Sequence, residues 1–251
     1  MLHILKRHPV PIVARFEKAV TLTYAFPREI LIPLLSPGLE LDAYGANGFL
    51  AVATVHTTDL RPAFLPKAFG RHFFLTNYRL FTRFKPHGGK ELRGLQTLRS
   101  DTDLSWLVVW GNRTTRYGYR KAEVEFANQA GLLQLDVRTP HGEADLKLMA
   151  DISRPSGSLP NGSPFPDIKT AQQFAAPLVY TFDYEAESGS MIVVEGRRTQ
   201  WHPHPVTVEV QQNSFLFSSR FQATRPVLAS AFYLSDVPYR WGRGRREKLR
   251  G

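Results

Sequence analysis

The stretch Phe73-Phe74-Leu75-Thr76-Asn77-Tyr78-Arg79-Leu80-Phe81-Thr82-Arg83-Phe84 decides how the rest of the chain is read. Its aromatic and β-branched content predicts one long strand, and the two-residue strand period sorts its side chains. Asn77, Arg79, Phe81 and Arg83 share one face, while Thr76, Tyr78, Leu80, Thr82 and Phe84 share the other. Arg79 is the informative cation. If its face turns inward, the guanidinium needs a carboxylate partner or an acidic ligand, because an unpaired buried charge is costly.

On the N-terminal side, residues 16–24 read as a strand. Residues 27–35 read as a short helix with Pro27 in its first turn, stopped by Ser36-Pro37-Gly38. Gly45-Ala46-Asn47-Gly48 predicts a hairpin turn through its Asn-Gly pair, followed by a strand over 49–57. Residues 58–70, aromatic and broken by proline, read as a loop lying over the core and roofing a pocket.

On the C-terminal side, residues 92–99 read as another strand. Asp101-Thr102-Asp103 then reads as the N-cap of a helix running into Trp106-Leu107-Val108-Val109-Trp110. Strands are expected around the Asn128-Gln129-Ala130-Gly131 turn, over 142–151, and over 178–185, 191–198, 206–210 and 215–221, with a short helix over 168–174. The segment 153–166, rich in Ser, Pro and Gly, is the most linker-like in the chain. It is expected to be a loop within one domain, because the first half has no evident way to close its sheet alone.

The chain has 251 residues, 43% hydrophobic and 22% charged, an ordinary globular composition with enough length for a sizeable core. It has no cysteine, which removes disulfides, thiolate metal sites and a cysteine nucleophile, and a cytoplasmic location is the expectation. No apolar run reaches the roughly 18 residues of a membrane span. The first residues carry charges and prolines where a signal peptide needs an unbroken apolar core, so neither secretion nor a membrane partner is expected.

The formal net charge is +10, and half of it sits in 240–251, where six basic residues face one acid. This Gly- and Arg-rich end is expected to be a disordered tail; it is too short to define a nucleic-acid partner, and none is expected.

Among the chemistry-bearing residues, Lys121 follows Arg120 in a segment otherwise aromatic and small. Burial and cationic neighbours such as Arg116 disfavour an ammonium and free a nucleophilic amine. His202 and His204, two apart in an extended Trp201-His202-Pro203-His204-Pro205-Val206 segment, face one side and are candidate polar contacts to a ligand. No further ligand stands at a matching spacing, so no metal is expected. No Gly-x-Ser-x-Gly elbow, Walker motif or Gly-x-Gly-x-x-Gly fingerprint is present, so hydrolase, ATP and dinucleotide readings fall away and no cofactor is expected.

Gly118-Tyr119-Arg120-Lys121 resembles the Gly-aromatic-Pro-Lys stretch of the acetoacetate decarboxylase superfamily, whose lysine forms a Schiff base with a keto acid; that activated lysine is a standard case of amine catalysis. Three blocks, Phe74–Phe81, Trp201–Val206 and Asp236-Val237-Pro238-Tyr239-Arg240-Trp241, resemble an uncharacterised branch of that superfamily, the DUF2071 family.

The resemblance implies an α+β fold, mainly β: an acetoacetate decarboxylase-like closed β-barrel or sandwich with a few short helices, formed by residues 1–239 as a single domain. It also implies a cavity for a small acidic or carbonyl-bearing ligand. Lys121 is then the amine nucleophile. Arg116 or Arg120 holds its pKa down, Arg79 and Asn77 orient a carboxylate, and Tyr119, His202 and His204 complete the lining.

The departures point the other way. Ala122 stands where the decarboxylase has a second lysine, Arg120 replaces the proline, and Leu75 or Thr76 replaces a pocket glutamate. Acetoacetate decarboxylation itself is therefore not expected. Two readings remain: lysine chemistry on a keto acid or other carbonyl metabolite, and non-catalytic binding of a small ligand on the same scaffold.

Overall fold

The computed structural model describes residues 2–175, 178–221 and 223–249. In chain order its strands are β1 (Ile12–Pro27), β2 (Leu39–Leu41), β3 (Ala43–Tyr44), β4 (Asn47–Pro62), β5 (Arg71–Phe84), β6 (Leu92–Thr102), β7 (Tyr119–Lys121) and β8 (Glu123–Gln129). They continue as β9 (Leu132–Arg138), β10 (Leu146–Asp151), β11 (Tyr180–Glu185), β12 (Ser190–Arg198), β13 (His204–Pro205), β14 (Thr207–Asn213), β15 (Val227–Trp241) and β16 (Arg245–Lys248). The α-helices are short: α1 (Leu2–Leu5), α2 (Arg28–Leu31), α3 (Ser105–Thr114) and α4 (Ile168–Phe174).

The hydrogen-bonded path β15-β1-β4-β5-β6-β11-β12 returns to β15, so the strands form a ring. Only Gly196↔Trp241, Arg197↔Arg240 and Arg198↔Tyr239 close it. With the second sheet, β14-β10-β9-β8, stacked beside it, the arrangement is sandwich-like and not a true barrel.

β5 shows why the ring needs that second sheet. Tyr78, Leu80, Leu22 and Val52 face outward, where they are fully buried against Leu135, Leu146 and Leu148 of the smaller sheet. Tyr78 reaches the ring of Phe215 at 4.3 Å, beyond the smaller sheet's last strand. Burying several such side chains contributes about 1.5–3 kcal/mol each. The opposite face of β5 looks into the ring.

Several expectations change. The strand expected over 49–57 continues to Pro62, with a register shift between Thr57 and Leu60 and Asp59 at φ 59°. This bulge turns the strand end, so that consecutive residues Leu60, Arg61 and Pro62 all reach the interior, which an unbroken strand forbids. The hairpin turn centres on Gly45 and Ala46, because Tyr44 pairs Asn47. Asp101 and Asp103 do not cap α3. Asp101 is a buried partner of Arg99 at 2.7 Å, and Asp103 accepts from the Phe74 amide at 2.9 Å. Residues 215–221 form turns and a 3-10 segment (Ser219–Phe221) in place of a strand. The strand that closes the ring is β15.

The end of the chain is also a correction. Trp241 ends β15, and Arg245–Lys248 pair antiparallel with Ser190–Val193 of β12, so the basic segment is an ordered strand; Arg250 and Gly251 lie outside the described residues. Its charges stay in water while its backbone completes the sheet.

Candidate functional site

The ring encloses a cavity of about 310 Å³. It exists because β1 and β4 turn small side chains inward: Thr21 beside Ala53, Thr23 beside Ala51, and Ala19 beside Val55. From β5, Phe73, Leu75, Asn77, Arg79 and Phe81 project into the same space.

Helix α3 covers one side. Trp106 and Trp110, one turn apart, line the cavity yet are 43% and 50% exposed, so the way in runs beside this helix. Gly111 allows the helix to sit against β7: a Cβ there meets the Tyr119 ring at 2.6 Å. The Asn112 side chain fixes the Tyr119 backbone at both ends, accepting from its amide at 2.7 Å and donating to its carbonyl at 2.8 Å.

Two arginines set the electrostatics. The Nε atoms of Arg79 and Arg198 are buried without a hydrogen-bond partner, and neither guanidinium has an ion-pair partner among the described residues. The Arg198 guanidinium lies 3.9 Å from the Trp201 ring centre and 5.5 Å from that of Tyr239. Burial lowers its pKa, and the charge of Arg79 adds to the effect.

Further donors in the lining are buried and unpaired: the Tyr117 and Thr57 hydroxyls, Trp201 Nε1 and Asn77 Nδ2. Asn77 spends its oxygen on the Ser100 hydroxyl, at 2.7 Å. Burial raises the pKa of both Tyr117 and Tyr119, so both keep their protons. Among the described residues, no Asp, Glu or Lys lines the cavity. Unsatisfied buried donors are expensive, and a set of them beside two cations suits an acceptor-rich anion.

Asp183 stands behind this group on the Thr181 side of β11. Burial pushes its carboxyl up to about 7, against the opposing pull of Arg116 and Arg79. His8, buried in the segment before β1, lines the cavity with its ring centre 6.3 Å from that of Tyr117; burial pulls its imidazole down to about 4, so it is neutral at pH 7.

Of the residues expected from sequence, Arg79, Asn77 and Tyr119 meet in the cavity. Lys121 does not. It is exposed at the end of β7, its ammonium donating to the Asp103 carbonyl, where water and a backbone oxygen satisfy the charge that burial would strand. Arg120 is exposed beside Glu143, at 3.7 Å. Arg116 is spent on Glu185 at 3.2 Å and Glu187 at 3.0 Å.

His202 and His204 are exposed, because the alternation runs opposite to that expected: Trp201 and Pro203 face in. Arg198, Tyr117, Trp201, Tyr239 and Asp183 were not expected as site residues. Trp201 and Tyr239 do lie within the blocks that carry the resemblance, and Arg198 had no local signal.

The fold is that of the acetoacetate decarboxylase-like proteins. The structure of acetoacetate decarboxylase from Legionella pneumophila subsp. pneumophila str. Philadelphia 1 superposes with a TM-score of 0.61 at 11% identity, over 93% of this chain and 86% of that one. An acetoacetate decarboxylase-like enzyme from Sphingomonas wittichii RW1 gives 0.60 at 14% identity, over 97% and 94%. The enduracididine biosynthesis enzyme MppR, solved in complex with pyruvate, gives 0.60 at 11% identity, over 95% and 90%. At these identities the likeness establishes the fold alone. No curated protein matches the chain. A family profile described as an uncharacterized conserved protein, DUF2071, matches residues 13–238, and the chain belongs to that family.

Proposed function

We propose that the ring cavity binds a small acidic metabolite and that the chain acts as a binding protein, without a Schiff-base lysine. One observation carries this reading: Arg79 and Arg198 present unpaired buried Nε donors to a cavity that no acidic side chain and no lysine lines among the described residues. A ligand carboxylate supplies the missing acceptors, and the apolar walls exclude the water that competes for them. Pyruvate in the complex of MppR, a protein of the same fold, supports a small acid as the occupant.

All four tryptophans of the chain line the cavity, so its intrinsic fluorescence reports occupancy. Titration with organic acids is expected to give a saturable fluorescence change that survives Lys121→Ala. Borohydride treatment with keto acids is expected to leave Lys121 unmodified. An adduct on Lys121, or no saturable change with any acid, contradicts the proposal.

A further inference from the structure

We infer that the ligand is amphipathic: an organic monoacid whose aliphatic or aryl body, of roughly ten non-hydrogen atoms, fills the ring while its carboxylate meets Arg79 and Arg198. The inference rests on the acid-binding reading above and adds the part of the ligand that reading leaves open.

The shape of the cavity carries it. Residues of β5 from Phe73 to Phe81 line one continuous space, roughly 26 Å of strand at the usual rise. Asn77 and Arg79 hold the polar positions on that line. To one side of them along the sheet lie Leu75 and its register partner Val55, which in turn pairs Ala19; to the other lie Phe81 and its partner Leu95. The flanking positions on this line are therefore hydrocarbon, and most of the cavity wall is apolar.

The volume of about 310 Å³ is room for roughly ten water molecules at their liquid density. An acid of two or three carbons satisfies the arginines but leaves most of that space to water, which apolar walls hold poorly. A longer body removes the same walls from solvent and gains with each carbon.

The small residues of β1 and β4 set how much body fits. Ala53 faces the cavity opposite Asn77 and beside Thr21, and Ala19 faces it beside Val55; larger side chains at either position occupy ligand space.

The test is a series of straight-chain carboxylates from acetate to dodecanoate, with pyruvate and decanol, titrated by calorimetry and tryptophan fluorescence. Affinity is expected to rise about fourfold for each added methylene until the cavity is full, then to stop rising, with decanol far weaker than decanoate. Ala53→Leu is expected to move the best chain length down by about two carbons; Ala19→Leu is the companion variant if the first fails to fold. Binding of pyruvate and acetate with no gain along the series overturns this inference and leaves acid binding intact. Absence of binding by every acid overturns both.

Discussion

Arg79 sits on the inner face of a strand whose outer face is packed shut, so its charge has nowhere to go but the cavity. The carboxyl of Asp183, which interacts electrostatically with Arg79, is pushed up to about 7 by burial, so below that pH it is mostly protonated and leaves the guanidinium available. Arg79→Met or Arg198→Met is expected to weaken binding of a carboxylate by about 10- to 100-fold, the loss of a charge-assisted hydrogen bond in a desolvated site, read by calorimetry against an unchanged Lys121→Ala. Above pH 7 Asp183 ionises and competes with the ligand for Arg79, so acid affinity should fall as pH rises through about 7, and Asp183→Asn should remove that fall.

The same group sets a stability slope. Its folded pKa is raised, so the folded state holds a proton that the unfolded chain releases, and Asp183 costs stability increasingly as pH rises from about 4 to 7. Asp183→Asn should therefore raise Tm relative to the parent by an amount that grows over that window and then levels off. A constant difference, measured by calorimetry across pH, contradicts this account. Arg79 was legible from the strand period alone. Lys121 was misread because a neighbouring arginine in sequence does not fix burial, and a three-residue strand end leaves an ammonium free to reach water.

At the scale of elements, α3 positions the aromatic side of the site through one close contact. Gly111→Val places branched carbons where the Tyr119 ring lies, and is expected to cost about 1–3 kcal/mol of stability and to weaken ligand binding at the same time. Loss of stability with binding intact would place Tyr119 outside the ligand's reach. The helix was legible as an apolar run, but its start was not. Asp101 and Asp103 have the chemistry of caps, yet other partners take them first: Arg99, two residues back along the same strand, and the Phe74 amide on the neighbouring one. Local propensity also missed the seam: Arg198 and Tyr239 face each other across β12 and β15, more than 40 positions apart in sequence, and only ring closure brings them together.

For the whole molecule, the closing strand and the basic end belong to one continuous sheet. β16 covers the edge of β12 at Ser190–Val193, beside the fully buried Met191, Ile192 and Val193. Removing residues after Trp241 is expected to lower Tm by several degrees and to speed amide exchange at Met191–Val193, whereas a disordered tail would be lost without effect. Composition read this segment as solvated because charge dominates it; the ladder that orders it needs a partner strand about 50 residues away. The family resemblance recovered the mainly β architecture, since the blocks that carry it are ring strands and the linker between them. It did not transfer the site, because the residue at the lysine position faces outward here.

The account turns on where an acid sits. A crystal of the protein soaked with para-bromobenzoate locates the bromine by anomalous scattering and the carboxylate by density. The expected result is a bromine inside the ring among the apolar walls, with carboxylate oxygens within hydrogen-bonding distance of Arg79 and Arg198. An empty ring at saturating acid, or a ligand seated at Lys121 on the surface, contradicts it.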